Sequence, residues 1–130
     1  MSALVIADHD NEQLNTATRC AISAASELGD AVEVLVAGHD CAAVADAASR
    51  CAGVSRVWLC DDEFCRAQLA ENVAPLAVQL AKQFTHVLAA ATTTGKDLMP
   101  RIAALLGVAQ ISDIIAIVSE DTFIRPIYAG

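Results

Sequence analysis

Basic residues are scarce in this sequence. Lys and Arg number 8 against 16 Asp and Glu, for a formal net charge of −8. Nucleic acids and anionic membranes are recognised through basic patches, so both are disfavoured as partners. The apolar fraction is 55% and the mean hydropathy +0.47, yet no apolar run approaches the roughly 18–20 residues of a membrane span. The first residues, Met-Ser-Ala-Leu-Val-Ile-Ala-Asp, carry no basic flank, so no signal peptide is expected there. Gly-x-Gly-x-x-Gly is missing, which removes the dinucleotide fingerprint. Gly-x-Ser-x-Gly is missing too, and with it the serine nucleophile elbow. The five cysteines are odd in number and contain no Cys-x-x-Cys. Free, mostly buried thiols in a reducing compartment are the expectation. Cys60 and Cys65 are close enough in sequence for a redox pair, with nothing beyond proximity to support one. No repeat, low-complexity segment or linker interrupts the 130 residues, which predict one domain.

What is present is organised around residues 85–106. A short apolar run, Thr85-His86-Val87-Leu88-Ala89-Ala90-Ala91, has the length of a buried strand. A small polar turn, Thr92-Thr93-Thr94-Gly95-Lys96-Asp97, leads into a helix with Leu98, Ile102, Leu105 and Leu106 on one face. Pro100 is tolerated only in the first turn, so the helix is predicted to begin near Lys96 or Asp97. Either Thr94 with Asp97 forms a capping box, or Asp97 is itself the N-cap. Gly95-Lys96 after a strand invites comparison with a phosphate loop. That loop needs Gly where Ala90 stands and Ser or Thr where Asp97 stands, and Asp97 would repel a phosphate.

The remaining chain alternates strand and helix. A strand over 3–8 precedes a helix with Leu14, Ala17, Ala21, Ala24 and Leu28 on one stripe, with Asp10 as a candidate cap and Gly29 as its stop. A strand over 31–37 is followed by Asp40, a predicted N-cap, and a helix with Cys41, Val44, Ala45, Ala48 and Cys51 inward. A strand over 55–60 holds Trp58, the only tryptophan. The next helix shows Leu69, Val73, Leu76 and Leu80, and Pro75 implies either a kink or two pieces, the second starting near Ala74. A fifth strand is predicted over 110–118. A sixth, over 122–128, is predicted antiparallel to it across the turn Ser119-Glu120-Asp121. The pattern predicts an α/β protein of three layers, αβα, with a mostly parallel, doubly wound sheet ending in a short antiparallel hairpin.

Ligands of such sheets bind at the carboxyl ends of the strands. Asp8, His9 and Asp10, then His39, Asp40 and Cys41, then Asp61 and Asp62 fall there, followed by residues 92–96. They could be metal ligands, but capping and turn roles account for them without a further assumption. Five carboxylates and one nearby cation, Lys96, make that edge hostile to a nucleotide phosphate. No nucleophile–base pair stands out. His86 is predicted to be a hydrogen-bonded core histidine, and Trp58 and Phe84 core aromatics. Arg125-Pro126 is placed on an edge strand, where Arg125 and Tyr128 are candidates for a partner interface.

Taken together, Val5-Ile6-Ala7-Asp8-His9-Asp10-Asn11, Gly95-Lys96-Asp97-Leu98-Met99-Pro100-Arg101, Val108-Ala109-Gln110-Ile111-Ser112-Asp113 and Arg125-Pro126-Ile127-Tyr128-Ala129-Gly130 resemble the N-terminal domain of electron transfer flavoprotein alpha subunits, in register along the whole chain. The resemblance implies a fold of the adenine nucleotide alpha hydrolase type and a single N-terminal domain over 1–130, with the C-terminal FAD-binding domain absent. It implies pairing with a beta subunit that holds AMP. It further implies a FAD-containing carrier that moves electrons from dehydrogenases, such as acyl-CoA dehydrogenases, to a quinone oxidoreductase, in the bacterial cytoplasm or the mitochondrial matrix. FAD is expected mainly on the C-terminal domain, so no catalytic, cofactor-binding or metal residue is carried over to this chain. The competing expectation is a free-standing nucleotide-binding domain of similar fold.

Overall fold

The computed structural model describes residues 2–27, 31–84, 86–90, 92–107 and 115–118. In chain order the elements are β1 (Ala3–Ile6), α1 (Thr16–Ser26), β2 (Val32–Gly38), α2 (Ala42–Ser49), β3 (Val54–Asp61), a 3-10 turn (Glu63–Cys65), α3 (Ala70–Ala81), β4 (His86–Ala89), α4 (Thr93–Leu106) and β5 (Ile115–Val118). The sheet order is β3-β2-β1-β4-β5. The β1–β2, β2–β3 and β1–β4 pairs are parallel. The predicted α/β class and the mostly parallel, doubly wound sheet are therefore observed.

Every residue of β1 and β4 is buried, as strands covered on both faces must be. One face of the sheet is covered by α3 and α4, through Val73, Ala74, Ala77, Leu98, Met99 and Ile102. The other is covered by α1 and α2, through Ala21, Ile22, Ala25, Val44 and Ala48. Alanine on the packed faces lets the helices approach the sheet closely. Strand order reverses between β1 and β4, which puts the switch point of the sheet at their carboxyl ends.

Several sequence expectations are corrected. The strand after α4 does not continue the parallel series: β5 runs antiparallel to β4, pairing His86 with Val118 and Ala89 with Ile115. Asp10 does not cap α1. Asn15 does, its Oδ1 accepting the Ala17 N–H at 2.8 Å, while Asp10 Oδ1 closes a turn by accepting from Glu12 and Gln13 at 2.9 and 2.7 Å. Asp40 does not cap α2. Cys41 occupies the N-cap position without a side-chain bond, and Asp40 stands at φ +50°. Pro75 splits nothing, for α3 runs unbroken across it. Likewise α4 starts at Thr93, earlier than predicted, so Pro100 is beyond its first turn. The N-cap is Thr92, whose Oγ1 accepts the Gly95 N–H at 3.2 Å. Both prolines are exposed, so the carbonyl each one leaves without a helical donor lies toward the wet side.

The buried stripe of α3 is Ala70, Val73, Ala74, Ala77 and Ala81, not the predicted leucines. Leu69 is exposed, and Leu76 and Leu80 are half-buried. On α4, Leu105 is exposed while Leu98 and Ile102 are buried as predicted. Gly107 ends that helix as expected, in the left-handed conformation at φ +70°. Phe84 and His86 are buried core residues. Trp58 is only half-buried, since β3 is an edge strand. Its Nε1–H donates to Glu33 Oε1 at 2.8 Å, and the Arg56 guanidinium lies 5.3 Å from its ring centroid. The predicted terminal hairpin, with Arg125 and Tyr128, lies outside the described residues.

Candidate functional site

The carboxyl edge of the sheet is assembled from four turns, and its construction begins with His9. This residue follows β1 and is 8% exposed. Its Nε2 lies 2.9 Å from the Ala37 carbonyl oxygen, and its Nδ1 is 3.0 Å from the Asn11 N–H. A carbonyl can only accept and an N–H can only donate, so the ring is neutral with its proton on Nε2. Burial, partly offset by the bond to Ala37 and by Asp8 and Asp10, holds its pKa below the ordinary histidine value.

Asn11 is the hub of the edge. It adopts φ +73°, a conformation asparagine tolerates better than most residues. Its Oδ1 accepts the His39 N–H at 2.9 Å, and its Nδ2 donates to the Arg66 carbonyl at 3.1 Å. One side chain thus ties the turn after β1 to the turn after β2 and to the segment after the 3-10 turn. Gly38 makes the close approach possible. A Cβ there would stand 2.4 Å from Asn11 Oδ1 and 2.7 Å from His9 Cε1. The third strand joins through Asp61 and Asp62. Asp61 Oδ1 accepts the Asp40 N–H at 2.8 Å. The Asp62 N–H donates to Gly38 O at 2.9 Å, and Asp62 Oδ1 caps the 3-10 turn by accepting from Phe64 at 3.0 Å.

His39 lies between two acids. Its Nε2 is 3.4 Å from Asp40 Oδ2, and its Nδ1, buried and without a hydrogen-bond partner among the described residues, is 3.8 Å from Asp61 Oδ1. Ligand atoms of these three residues come within 4.8 Å of one another. Each ring nitrogen faces a different carboxylate, however, and Asp61 Oδ1 is already engaged by the Asp40 N–H. The arrangement is that of a histidine bracketed by carboxylates rather than of ligands converging on one ion.

Beside this network lies an open surface cavity of about 350 Å³, lined by Asp8, His9, Asp10, Gln13, Leu14, Asn15 and Thr16. The N–H groups of Gln13 and Glu12 hold the Asp10 carboxyl below its usual carboxylate value. The Asp8 backbone is fixed by buried Thr18, whose Oγ1 accepts its N–H at 2.8 Å. The sequence-predicted residues thus fall into two groups, His9 with Asp8 and Asp10, and His39 with Asp40 and Asp61. Cys41 belongs to neither, being wholly buried against the α1–α2 side, with burial and then Asp61 pushing its thiol pKa up. Lys96 is exposed in the first turn of α4. Sequence reasoning missed Asn11 and Gly38. The signal available was their place in two turns that the strand pattern had already set at one edge.

Residues 3–130 match the family model described as the electron transfer flavoprotein domain. The chain belongs to the electron transfer flavoprotein family. It is 54% identical over 130 residues to an electron transfer flavoprotein subunit alpha of Pseudomonas aeruginosa, covering 100% of this chain and 42% of that protein. It is 51% identical over 130 residues to the subunit alpha of Bradyrhizobium diazoefficiens, covering 100% and 41%. A mitochondrial subunit alpha of Dictyostelium discoideum is 44% identical over 137 residues, covering 99% and 39%. The chain therefore spans about two-fifths of the length of these relatives. Among the described residues no helix is long and apolar enough to cross a membrane.

Proposed function

We propose that this chain is the N-terminal scaffold and interaction domain of an electron transfer flavoprotein alpha subunit. It pairs with a beta subunit and supports a FAD site carried mainly by a C-terminal domain outside the 130 residues. The observation that carries the reading is the 54% identity, along the whole chain, to a subunit alpha. In this reading the complex carries electrons from dehydrogenases, acyl-CoA dehydrogenases among them, to a quinone oxidoreductase. It does so in the cytoplasm of a bacterium or in the mitochondrial matrix. The domain contributes no catalytic residue, AMP resides in the beta subunit, and Arg125 and Tyr128 belong to the surface that meets a partner.

The construction of the sheet edge supports the scaffold role over that of a free-standing nucleotide-binding domain. The turns after β1, β2 and β3 are bonded to one another by Asn11, Asp61 and Asp62, and the cavity beside them is acidic. A phosphate entering there meets carboxylates where a phosphate site offers backbone N–H groups and cations. Calorimetric titration of the chain with FAD and with AMP tests this directly. Neither is expected to bind with a micromolar dissociation constant, and such a constant for either overturns the reading. Co-expression with a beta subunit of the same family is expected to yield a complex that Arg125→Glu with Tyr128→Ala weakens.

A further inference from the structure

Cys60 is the second-to-last residue of β3, and Cys65 closes the 3-10 turn that follows. The four residues between them are held by their own bonds. The Cys65 N–H donates to Asp62 O at 2.9 Å, and Asn72 Nδ2 donates to Phe64 O at 3.1 Å. This folding-back returns Cys65 to the side of the sheet on which Cys60 lies. Both side chains join the cluster beneath α3, Cys65 wholly buried and Cys60 half-buried at its margin. Cys60 and Cys65, five residues apart, thus share the cluster on the α3 side of the sheet, while Cys41 and Cys51 pack on the other side.

Among the described residues, the other three thiols lie outside that cluster. Cys41 and Cys51 flank opposite ends of α2, an eight-residue helix about 12 Å long at its usual rise. Cys51 is engaged with the Ala47 carbonyl and with Arg19. Cys20 is in α1, on the far side of the sheet from Cys60.

We propose that Cys60 and Cys65 form a dithiol site that closes to a reversible disulfide when hydrogen peroxide is the oxidant, with Cys60 reacting first. The order follows from access. Cys65 is out of reach of solvent, and burial, followed by the neighbouring Cys60 and Asp62, pushes its thiol up to about 11. Little thiolate is available there. Cys60 loses its proton and attacks the peroxide, so that an S–O bond forms, the O–O bond breaks and water leaves. The Cys65 sulfur then attacks the sulfenic sulfur. The S–S bond forms, the S–O bond breaks, and the hydroxyl departs as water with the Cys65 proton. Two thiols and one hydrogen peroxide become one disulfide and two waters, and the two electrons leave with the peroxide oxygens. An added dithiol reverses the step by exchange. Closure would staple the 3-10 turn, with its exposed Phe64, to the end of β3.

The experiment is peroxide treatment of the purified chain followed by non-reducing peptide mass mapping. The expected product links Cys60 to Cys65 within one molecule and disappears on incubation with dithiothreitol. In Cys65→Ser the reaction should stop at a Cys60 sulfenic acid that dimedone traps, and Cys60→Ser should leave Cys65 a free thiol. Circular dichroism of both variants checks that they fold. The wild-type map decides the matter even if they do not. Cys60 recovered as sulfinic or sulfonic acid beside a free Cys65, a disulfide to another cysteine or another molecule, or an unchanged thiol pair would each overturn the proposal.

Discussion

The side-chain oxygen of Asn11 accepts the backbone N–H of His39 at 2.9 Å across 28 residues of sequence. This bond, with the one from Asn11 Nδ2 to the Arg66 carbonyl, makes a single polar side chain common to three turns. Removing it leaves a part-buried N–H without its acceptor, and an unsatisfied buried group costs about 1–3 kcal/mol. Asn11→Ala is expected to destabilise by that amount in urea denaturation. Asn11→Gly loses the same bonds but adopts φ +73° freely, so it should be measurably less damaging than the alanine. Equal losses would show that backbone conformation is irrelevant at this position.

Gly38 tests how closely the turns are packed. Glycine to alanine ordinarily stabilises by about 0.4–1 kcal/mol through the unfolded chain. Here the new methyl would lie 2.4 Å from Asn11 Oδ1, and overpacking typically costs about 1–3 kcal/mol. The clash is the larger effect, so Gly38→Ala should lower the urea midpoint. At Gly107 nothing among the described residues lies within 4 Å of an added Cβ, and the φ of +70° is at issue. Gly107→Ala should cost about 1–2 kcal/mol, the left-handed penalty alone. Nuclear magnetic resonance shifts at His9 and His39 are expected to move in the first variant and not in the second.

Strands β1 to β4 were legible as short apolar runs between turn residues, and their alternation with helices pointed to their parallel pairing, but the same alternation misled at β5, which runs antiparallel to β4. What was not legible came from competitions that spacing does not reveal. Thr94, Asp97 and Pro100 pointed to a helix start near Lys96 or Asp97, and Thr92 prevailed as the cap because its oxygen reaches the Gly95 N–H. Leucine outranks alanine in any apolar stripe, yet Ala74 and Ala77 face the core on α3 because small residues fit the close contact with α4. At the site, the acidic character of the edge was readable from composition and topology. The role of Asn11 was not, since its partners are backbone groups of residues 28 and 55 positions away.

His9 gives the fold a pH dependence whose sign is fixed by its bonds. The neutral ring accepts from Asn11 and donates to Ala37, and its folded pKa lies below the unfolded value of 6.5. Above 6.5 both states are neutral here and His9 adds no slope. Below it the unfolded chain takes up a proton that the folded chain resists, so stability falls as pH drops, until the folded pKa is reached. Urea midpoints measured downward from neutrality should decline for the wild type from about pH 6.5. The decline should be shallower in His9→Gln, which has no such proton to bind. Parallel curves for the two proteins would remove His9 as the cause.

Ile102 and Leu105 are three residues apart on α4, and helical spacing alone places both on the apolar face. Ile102 is 0% exposed and Leu105 59%. The buried arc is defined by Leu98, Met99, Ile102 and Ala103. At about 100° per residue Leu105 lies roughly 90° from the centre of that arc. It also occupies the last turn, just before Gly107 redirects the chain. Truncating Ile102 removes atoms packed beneath α3 and leaves a cavity, so Ile102→Ala should cost about 2–5 kcal/mol. Leu105→Ala removes atoms already in water and replaces leucine with a slightly better helix former, so its effect should stay within about 0.5 kcal/mol. Urea denaturation of the two variants side by side separates the cases. A loss at Leu105 comparable to that at Ile102 would mean that the side chain is covered in solution, and would turn the search for its cover to the segments that follow α4.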